Sequence, residues 1–252
     1  MNRYITSLLS IAFFSLATIY AQNNNITYME KPNLSSEWDT TFPESNQVNH
    51  EKVTFVNRYG ITLAADMYTP KNAAAPLPAI AVCGPFGAVK EQCSGLYAQE
   101  MAERGFITLA FDPSFTGESG GHPRYTTSPD INTEDFSAAI DFLVTCPSVN
   151  PDAVGVIGIC GWGGLAINAA AADPRIKATV ASTMYDMSRV SANGYFDSAD
   201  SPDDRDNLRN ALAARRTEDF RSGTPALGGG VPDVLPEDAP EFLRDYFDYY
   251  KT

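Results

Sequence analysis

Three near-continuous apolar runs constrain this chain more than any other feature: Leu77 to Cys83, Phe106 to Phe111 and Val154 to Ile159. A strand with one wet face alternates polar and apolar residues. A run that is apolar throughout is buried on both faces, as strands of a parallel sheet are. Segments of helical spacing separate these runs. Glu91 to Arg104 carries Leu96 and Met101 and stops at Gly105, a C-terminal cap. Thr133 opens a second helix, with Phe136, Ile140 and Leu143 on one stripe, ending before Pro147; Gly163 to Ala172 makes a third. Ala178 to Met184 reads as one more strand. Ahead of all these, Lys52 to Asn57 and Ile61 to Tyr68 form a hairpin about Arg58-Tyr59-Gly60. Strand and helix alternating at short intervals predict an α/β fold with a doubly wound, mostly parallel sheet and helices on both faces. Ligands in such sheets bind beyond the carboxyl ends of the strands. Gly84 to Gln92, Asp112 to Arg124 and Cys160 to Gly164 fall there.

Outside this core, residues 1–21 read as an export leader: Arg3, an apolar stretch from Leu8 to Ala17, and Ala21 as the small residue at the cleavage edge before Gln22. The stretch is short and broken by Ser and Thr, which argues against a membrane span; an uncleaved anchor is the other reading. The mature chain is therefore expected in the periplasm or medium. Residues 22–50 form an irregular lead-in, 51–186 the core, and 187–252 a helical, cap-like segment. That last segment holds helices around Asp203 to Phe220 and Pro236 to Tyr250, joined by Gly228-Gly229-Gly230, and no buried strand. Eighteen basic against 31 acidic residues give a net charge of −13, which excludes a nucleic-acid footprint and a polybasic membrane patch. The partner expected is a small molecule, and the oligomeric state stays open.

Chemistry concentrates in Gly158-Ile159-Cys160-Gly161-Trp162-Gly163-Gly164, a strand, a sharp turn and a helix start. Small residues let a tight turn push a nucleophile out at a helix N-terminus, where a thiolate is favoured. Cys160 is the candidate nucleophile. The backbone N–H groups of Gly161 and of Phe86, after the third strand, are the candidate oxyanion donors. Trp162 is read as a substrate-binding residue. It also stands where an elbow usually has a small side chain, so Gly163 and Gly164 are expected to take over the close packing.

On these residues, on Pro85-Phe86-Gly87 before Lys90-Glu91-Gln92, and on Phe111-Asp112 with Thr116 to Gly121, the chain resembles the α/β-hydrolase superfamily, in particular its dienelactone-hydrolase-like exported members, over about residues 50 to 190. The resemblance implies acyl-bond cleavage of an ester, lactone or related substrate with Cys160 as nucleophile. It also implies an acid after a seventh strand and a His after an eighth. Dienelactone hydrolase itself keeps a Glu near the third-strand loop to activate its Cys, where this chain has Gly84-Pro85-Phe86-Gly87. Strand content through Met184 fills six strands, and the tail holds no His. In family order the acid and base fall beyond Thr252, and the chain reads as truncated or as a remnant with its last strands missing.

Other readings stay open beside this one. The chain is also readable as a non-catalytic hydrolase-like protein that binds a small apolar ligand or a partner. Cys160 is readable as a buried structural residue, or as one half of a disulfide to Cys83, which would consume the nucleophile. His122, in a turn at the catalytic end, is a candidate stand-in base; His50 is expected in solvent. Asp112 is read mainly as capping its own loop, and Lys90 with Glu91 as an ion pair at a helix start. Cys93 and Cys146 are read as inert, and Tyr246, Tyr249 and Tyr250 as packing a helix. With two His and no Cys-x-x-Cys, no metal and no cofactor is expected.

Overall fold

The hairpin comes first. β1 (Val48–Val56) and β2 (Thr62–Pro70) pair antiparallel with Val56 opposite Thr62, and Gly60 takes φ 79 in the turn between them. This is a computed structural model, and it describes residues 32–72, 74, 76–228 and 230–251. The leader at residues 1–21 and Gly229 lie outside the described residues. β1 begins four residues before the expected Lys52, because His50 and Glu51 pair into the sheet with Tyr68 and Met67 despite their polarity.

The apolar runs become the centre of the sheet. β3 (Leu77–Cys83), β4 (Ile107–Phe111), β5 (Val149–Ile159) and β6 (Ile176–Ser182) complete a six-stranded sheet of order β1-β2-β4-β3-β5-β6. The β3–β4, β3–β5 and β5–β6 pairs are parallel. Every residue of β4 is buried, as a strand covered on both faces must be. β6 sits at the edge, and only its first residue, Ile176, is buried.

Alternation along β3 separates two cores. Ala79, Ala81 and Cys83 face α2 (Pro129–Thr145) and α3 (Gly161–Ala172), meeting Phe136, Ile140, Leu143, Trp162 and Leu165. Ile80 and Val82 face the other way, toward Ala98 and Ala102 of α1 (Cys93–Glu103). Helices therefore cover both faces, and the chain has the α/β-hydrolase fold.

Helix starts follow their caps. α2 begins at Pro129 rather than Thr133, because Ser128 caps it and Pro129 occupies the first helical position. A short helix that the spacing did not anticipate, α4 (Met187–Asn193), starts on an Asp186 side-chain cap. Two further helices follow, α5 (Pro202–Ser222) close to its expected span and α6 (Glu241–Lys251) starting five residues after the expected Pro236. No described residue of α5 is buried. Among the described residues no helix is long and apolar enough to cross a membrane.

Candidate active site

β5 delivers Cys160 to the N-terminus of α3. Its backbone sits at φ 58, ψ −126, a region L-residues rarely adopt and one that costs about 1–3 kcal/mol. Neighbours hold it there. The Cys160 N–H donates to the Ser182 carbonyl at 2.9 Å, and its own carbonyl accepts from Gly163 at 3.0 Å and Tyr185 at 3.3 Å. The turn is possible only because α3 presses closely on β5. A Cβ on Gly158 would lie 2.3 Å from the Trp162 carbonyl oxygen and 2.7 Å from the Ala166 Cβ. Gly163 and Gly164 take the close-packing role expected of them, the first against Met184 at 3.1 Å and the second against the Tyr185 carbonyl oxygen at 3.1 Å. Sharp turn, strained residue and helix start thus coincide at Cys160 as the sequence predicts.

The two candidate oxyanion donors flank the same point. Gly161 is the first residue of α3, so helix geometry leaves its N–H without an intrahelical acceptor. Phe86 lies in the loop after β3, close enough that a Cβ on Gly161 would meet its ring at 2.8 Å. The Phe86 ring stacks on Trp162, centroids 6.1 Å apart and planes 22° apart. Trp162 is only 3% exposed, belongs to the core beneath the site and does not line the cleft beside Gly161.

A cleft of about 620 Å³ opens beside Gly161. Phe86, Leu165, Ile167, Met184 and Met187 make its walls apolar, and Asp186 is the one formal charge among the lining residues. Met184, Tyr185 and Met187 had no motif to announce them. They follow the carboxyl end of β6, and that position is the signal that could have found them. Residues of α6 pack on the β3 loop and the start of α1. The Tyr250 hydroxyl donates to the Phe86 carbonyl at 3.0 Å, the Tyr249 hydroxyl accepts from the Cys93 N–H at 3.4 Å, and the Tyr249 carbonyl accepts from Gln92 Nε2 at 3.1 Å. The neighbouring Tyr185 hydroxyl pushes Tyr246 up to about 12, and burial, then Cys160, does the same for Tyr250. The three tyrosines pack their helix, as expected, and also roof the elbow.

Behind the β3 loop lies a buried charge cluster. The Lys90 ammonium, fully buried, reaches Asp112 at 3.3 Å, Glu118 at 2.6 Å and the adjacent Glu91. Burial alone would lower its pKa, but Asp112, Glu91 and Glu118 outweigh burial and raise it. Asp112 caps its loop as predicted, accepting from the backbone N–H groups of Lys90 and Glu118 at 2.8 Å each. Carboxylate oxygens of Asp39, Glu91 and Glu118 lie within 4.8 Å of one another. Lys52 Nζ bridges all three and Lys90 Nζ two of them, so two ammonium groups already supply the positive charge there.

The two histidines lie on or after other strands of the sheet. His50 is half-buried rather than in solvent, because the lead-in lays Trp38 over it. Its ring meets Trp38 and Tyr68 with centroids 5.0 Å away, and Nε2 lies 3.1 Å from Asp66. His122 is exposed in the loop after β4, two places from β5 in the sheet. The described cysteines are all free, and Cys83 is fully buried below the elbow.

A family model described as X-Pro dipeptidyl-peptidase (S15 family) matches residues 59–225. The uncharacterized protein PA2218 of Pseudomonas aeruginosa is 61% identical over 220 residues, 87% of this chain and 59% of that protein. Its crystal structure superposes with a TM-score of 0.84 over 88% of this chain and 69% of that one, at 60% identity. The thiohydrolase aneE of Aspergillus aculeatus is 32% identical over 134 residues, 53% of this chain and 41% of that protein. The α/β hydrolase GrgF of a Penicillium species shares the fold, with a TM-score of 0.60 at 22% identity over 76% of this chain and 61% of that one. The chain thus spans about half the length of the curated relatives named here.

Proposed function

This chain belongs to the X-Pro dipeptidyl-peptidase (S15) family, and on that premise we propose that it is a hydrolase whose Cys160 attacks the carbonyl carbon of an ester, lactone or thioester. The observation that carries this reading is the strained backbone of Cys160 at the α3 N-terminus, beside an apolar cleft. The thiolate adds to the carbonyl carbon, and the oxygen takes the negative charge. The Gly161 N–H and a Phe86-loop N–H stabilise that charge. The tetrahedral intermediate collapses, the alcohol or thiol leaves with a proton from solvent, which replaces the one the Cys160 thiol released there, and the acyl group remains on sulfur until water releases it as the acid. The cleft walls favour an uncharged, apolar acyl group: Phe86, Met184 and Met187 offer contact area, and Asp186 repels a substrate carboxylate. The relative that is a thiohydrolase supports including thioesters. Export to the periplasm or medium is part of the proposal.

Intact-protein mass spectrometry after mixing with p-nitrophenyl acetate tests it. An acetyl adduct is expected on Cys160 and none in Cys160→Ala. An unmodified Cys160, with an apolar ligand binding in the cleft all the same, would replace the hydrolase by a binding protein.

A further inference from the structure

Cys93 is a second thiol at the elbow that the proposed reaction does not use. It opens α1 and packs on Gly84, at the end of β3 beside the strand end that carries Cys160. Cys83 pairs with Gly158, so the next residues, Gly84 and Ile159, are neighbours one step before Cys160. A Cβ on Gly84 would touch Ile159 Cδ1 at 3.1 Å and Cys93 Sγ at 3.3 Å. Cys93 and Cys160 pack against the same cluster, which contains Ile157 and Ile159, and both stay partly open to solvent. The tyrosine roof covers both: Tyr249 bonds to the Cys93 N–H, and Tyr250 feels both thiols. The remaining cysteines are placed differently. Cys83 is sealed in the opposite core, and Cys146 ends α2 with its thiol on the Phe142 carbonyl.

We propose that Cys93 is a resolving cysteine for Cys160, forming with it a reversible disulfide that switches the site off under peroxide. The Cys160 thiolate attacks a hydroperoxide, the O–O bond breaks, and sulfur is oxidised to the sulfenic acid while the peroxide leaves as an alkoxide or hydroxide. Cys93 sulfur then attacks the sulfenic sulfur, and its proton departs with the hydroxyl as water. The S–S bond closes at about 2.05 Å. A dithiol reductant returns both thiols. Without Cys93, the sulfenic acid proceeds to sulfinic and sulfonic acids, which reductant does not reverse. The bond itself depends only on two neighbouring thiols; its effect on activity rests on the nucleophile reading above.

The test uses the full chain treated with hydrogen peroxide and then alkylated. Trypsin at Lys90 separates Cys93 from Cys83, and an Asp-directed protease at Asp152 separates Cys160 from Cys146. A Cys93–Cys160 peptide pair, lighter by two hydrogens and lost on dithiothreitol, is expected. In Cys93→Ser, Cys160 should gain two or three oxygens that dithiothreitol leaves in place, while the acetyl adduct still forms in the untreated variant. Over-oxidised Cys160 in the unsubstituted chain with no cross-link, or a cross-link to Cys83 or Cys146 instead, would overturn the inference. A cross-link in a chain whose Cys160 takes no acetyl group would sink the nucleophile and leave the disulfide standing; an adduct without a cross-link would do the reverse.

Discussion

At the scale of single residues, Gly158 is a tight constraint beside the elbow. Its missing Cβ is the space into which the Trp162 carbonyl and Ala166 Cβ fit. Backbone cannot move aside as a flexible side chain does, so Gly158→Ala is expected to cost about 1–3 kcal/mol or more through overpacking. A drop in the denaturant midpoint at constant slope would report it, and an unchanged midpoint would mean that α3 sits farther from β5. Gly60, with φ 79 and open space around its Cβ direction, is the control; Gly60→Ala meets only backbone strain. Lys90 is the second sensitive residue. Lys90→Met keeps the length of the side chain and leaves Asp112, itself fully buried, facing Glu91 and Glu118 without its cation. Stranding a buried charge costs about 3–5 kcal/mol. Chemical denaturation of the variant at neutral pH should show a loss of that order; a loss well under 1 kcal/mol would mean that water reaches the cluster.

Elements were legible where one physical signal dominated. The β3 run from Leu77 to Cys83 forms over its predicted span, because burial on both faces leaves no competing pattern. Apolar spacing alone places α2 late, because its first turn is marked by Ser128 and Pro129 and carries little apolar periodicity. α4 was missed for a similar reason: seven residues are too few for a stripe. The lead-in was the hardest to read, since long-range charge holds it in place. Ser35 N–H donates to Glu118 at 2.6 Å, Thr41 N–H to the Glu91 carbonyl at 2.9 Å, and Lys52 Nζ reaches Asp39 at 3.1 Å. Burial would raise the Glu118 and Asp39 carboxyls, but Lys90 and Lys52 outweigh it and hold them below their ordinary 4.5 and 3.8. Carboxyls depressed in the folded state contribute stability that is present above those ordinary values and lost as pH falls through the folded ones. Asp112 acts in the opposite sense. Burial pushes it up to about 6, so it takes a proton in the folded state first, which favours folding as the pH falls from about 6 to 3.8. The lead-in should therefore stay closed at neutral pH and loosen below the ordinary carboxylate range. Hydrogen exchange, corrected for intrinsic rate, should show the Ser35 amide losing protection at about pH 3 while the Leu63 amide in β2 keeps its own. Equal protection of Ser35 at both pH values would remove Glu118 as the anchor.

For the whole molecule, the question is how six strands distribute the groups a hydrolase needs. The placement of the candidate nucleophile and candidate oxyanion donors was legible in the sequence, because one turn between β5 and α3 carries Cys160 and Gly161 and parallel pairing to β3 brings Phe86 alongside. The cleft walls and the tyrosine roof were not, since they join at one sheet end residues more than a hundred positions apart, as Phe86 and Tyr250 are. The histidines follow from the same sheet order: His50 is on β1, four places from β5, and His122 follows β4, two places away. A base must lie within about 2.6–3.2 Å of the nucleophile, or one water away, to take its proton. A thiol is a few per cent thiolate near pH 7 and intrinsically nucleophilic, so acylation by an activated ester proceeds without that base. Release of the acyl group is different, because the attacking water has no comparable reactivity of its own. The 252 residues assayed alone should therefore give one burst of p-nitrophenol from p-nitrophenyl acetate, about one equivalent per chain, followed by a flat trace. Steady turnover lost in both Cys160→Ala and His122→Ala would show that His122 reaches the thiol and make it the working base. Turnover that survives Cys160→Ala would place the chemistry outside the elbow altogether.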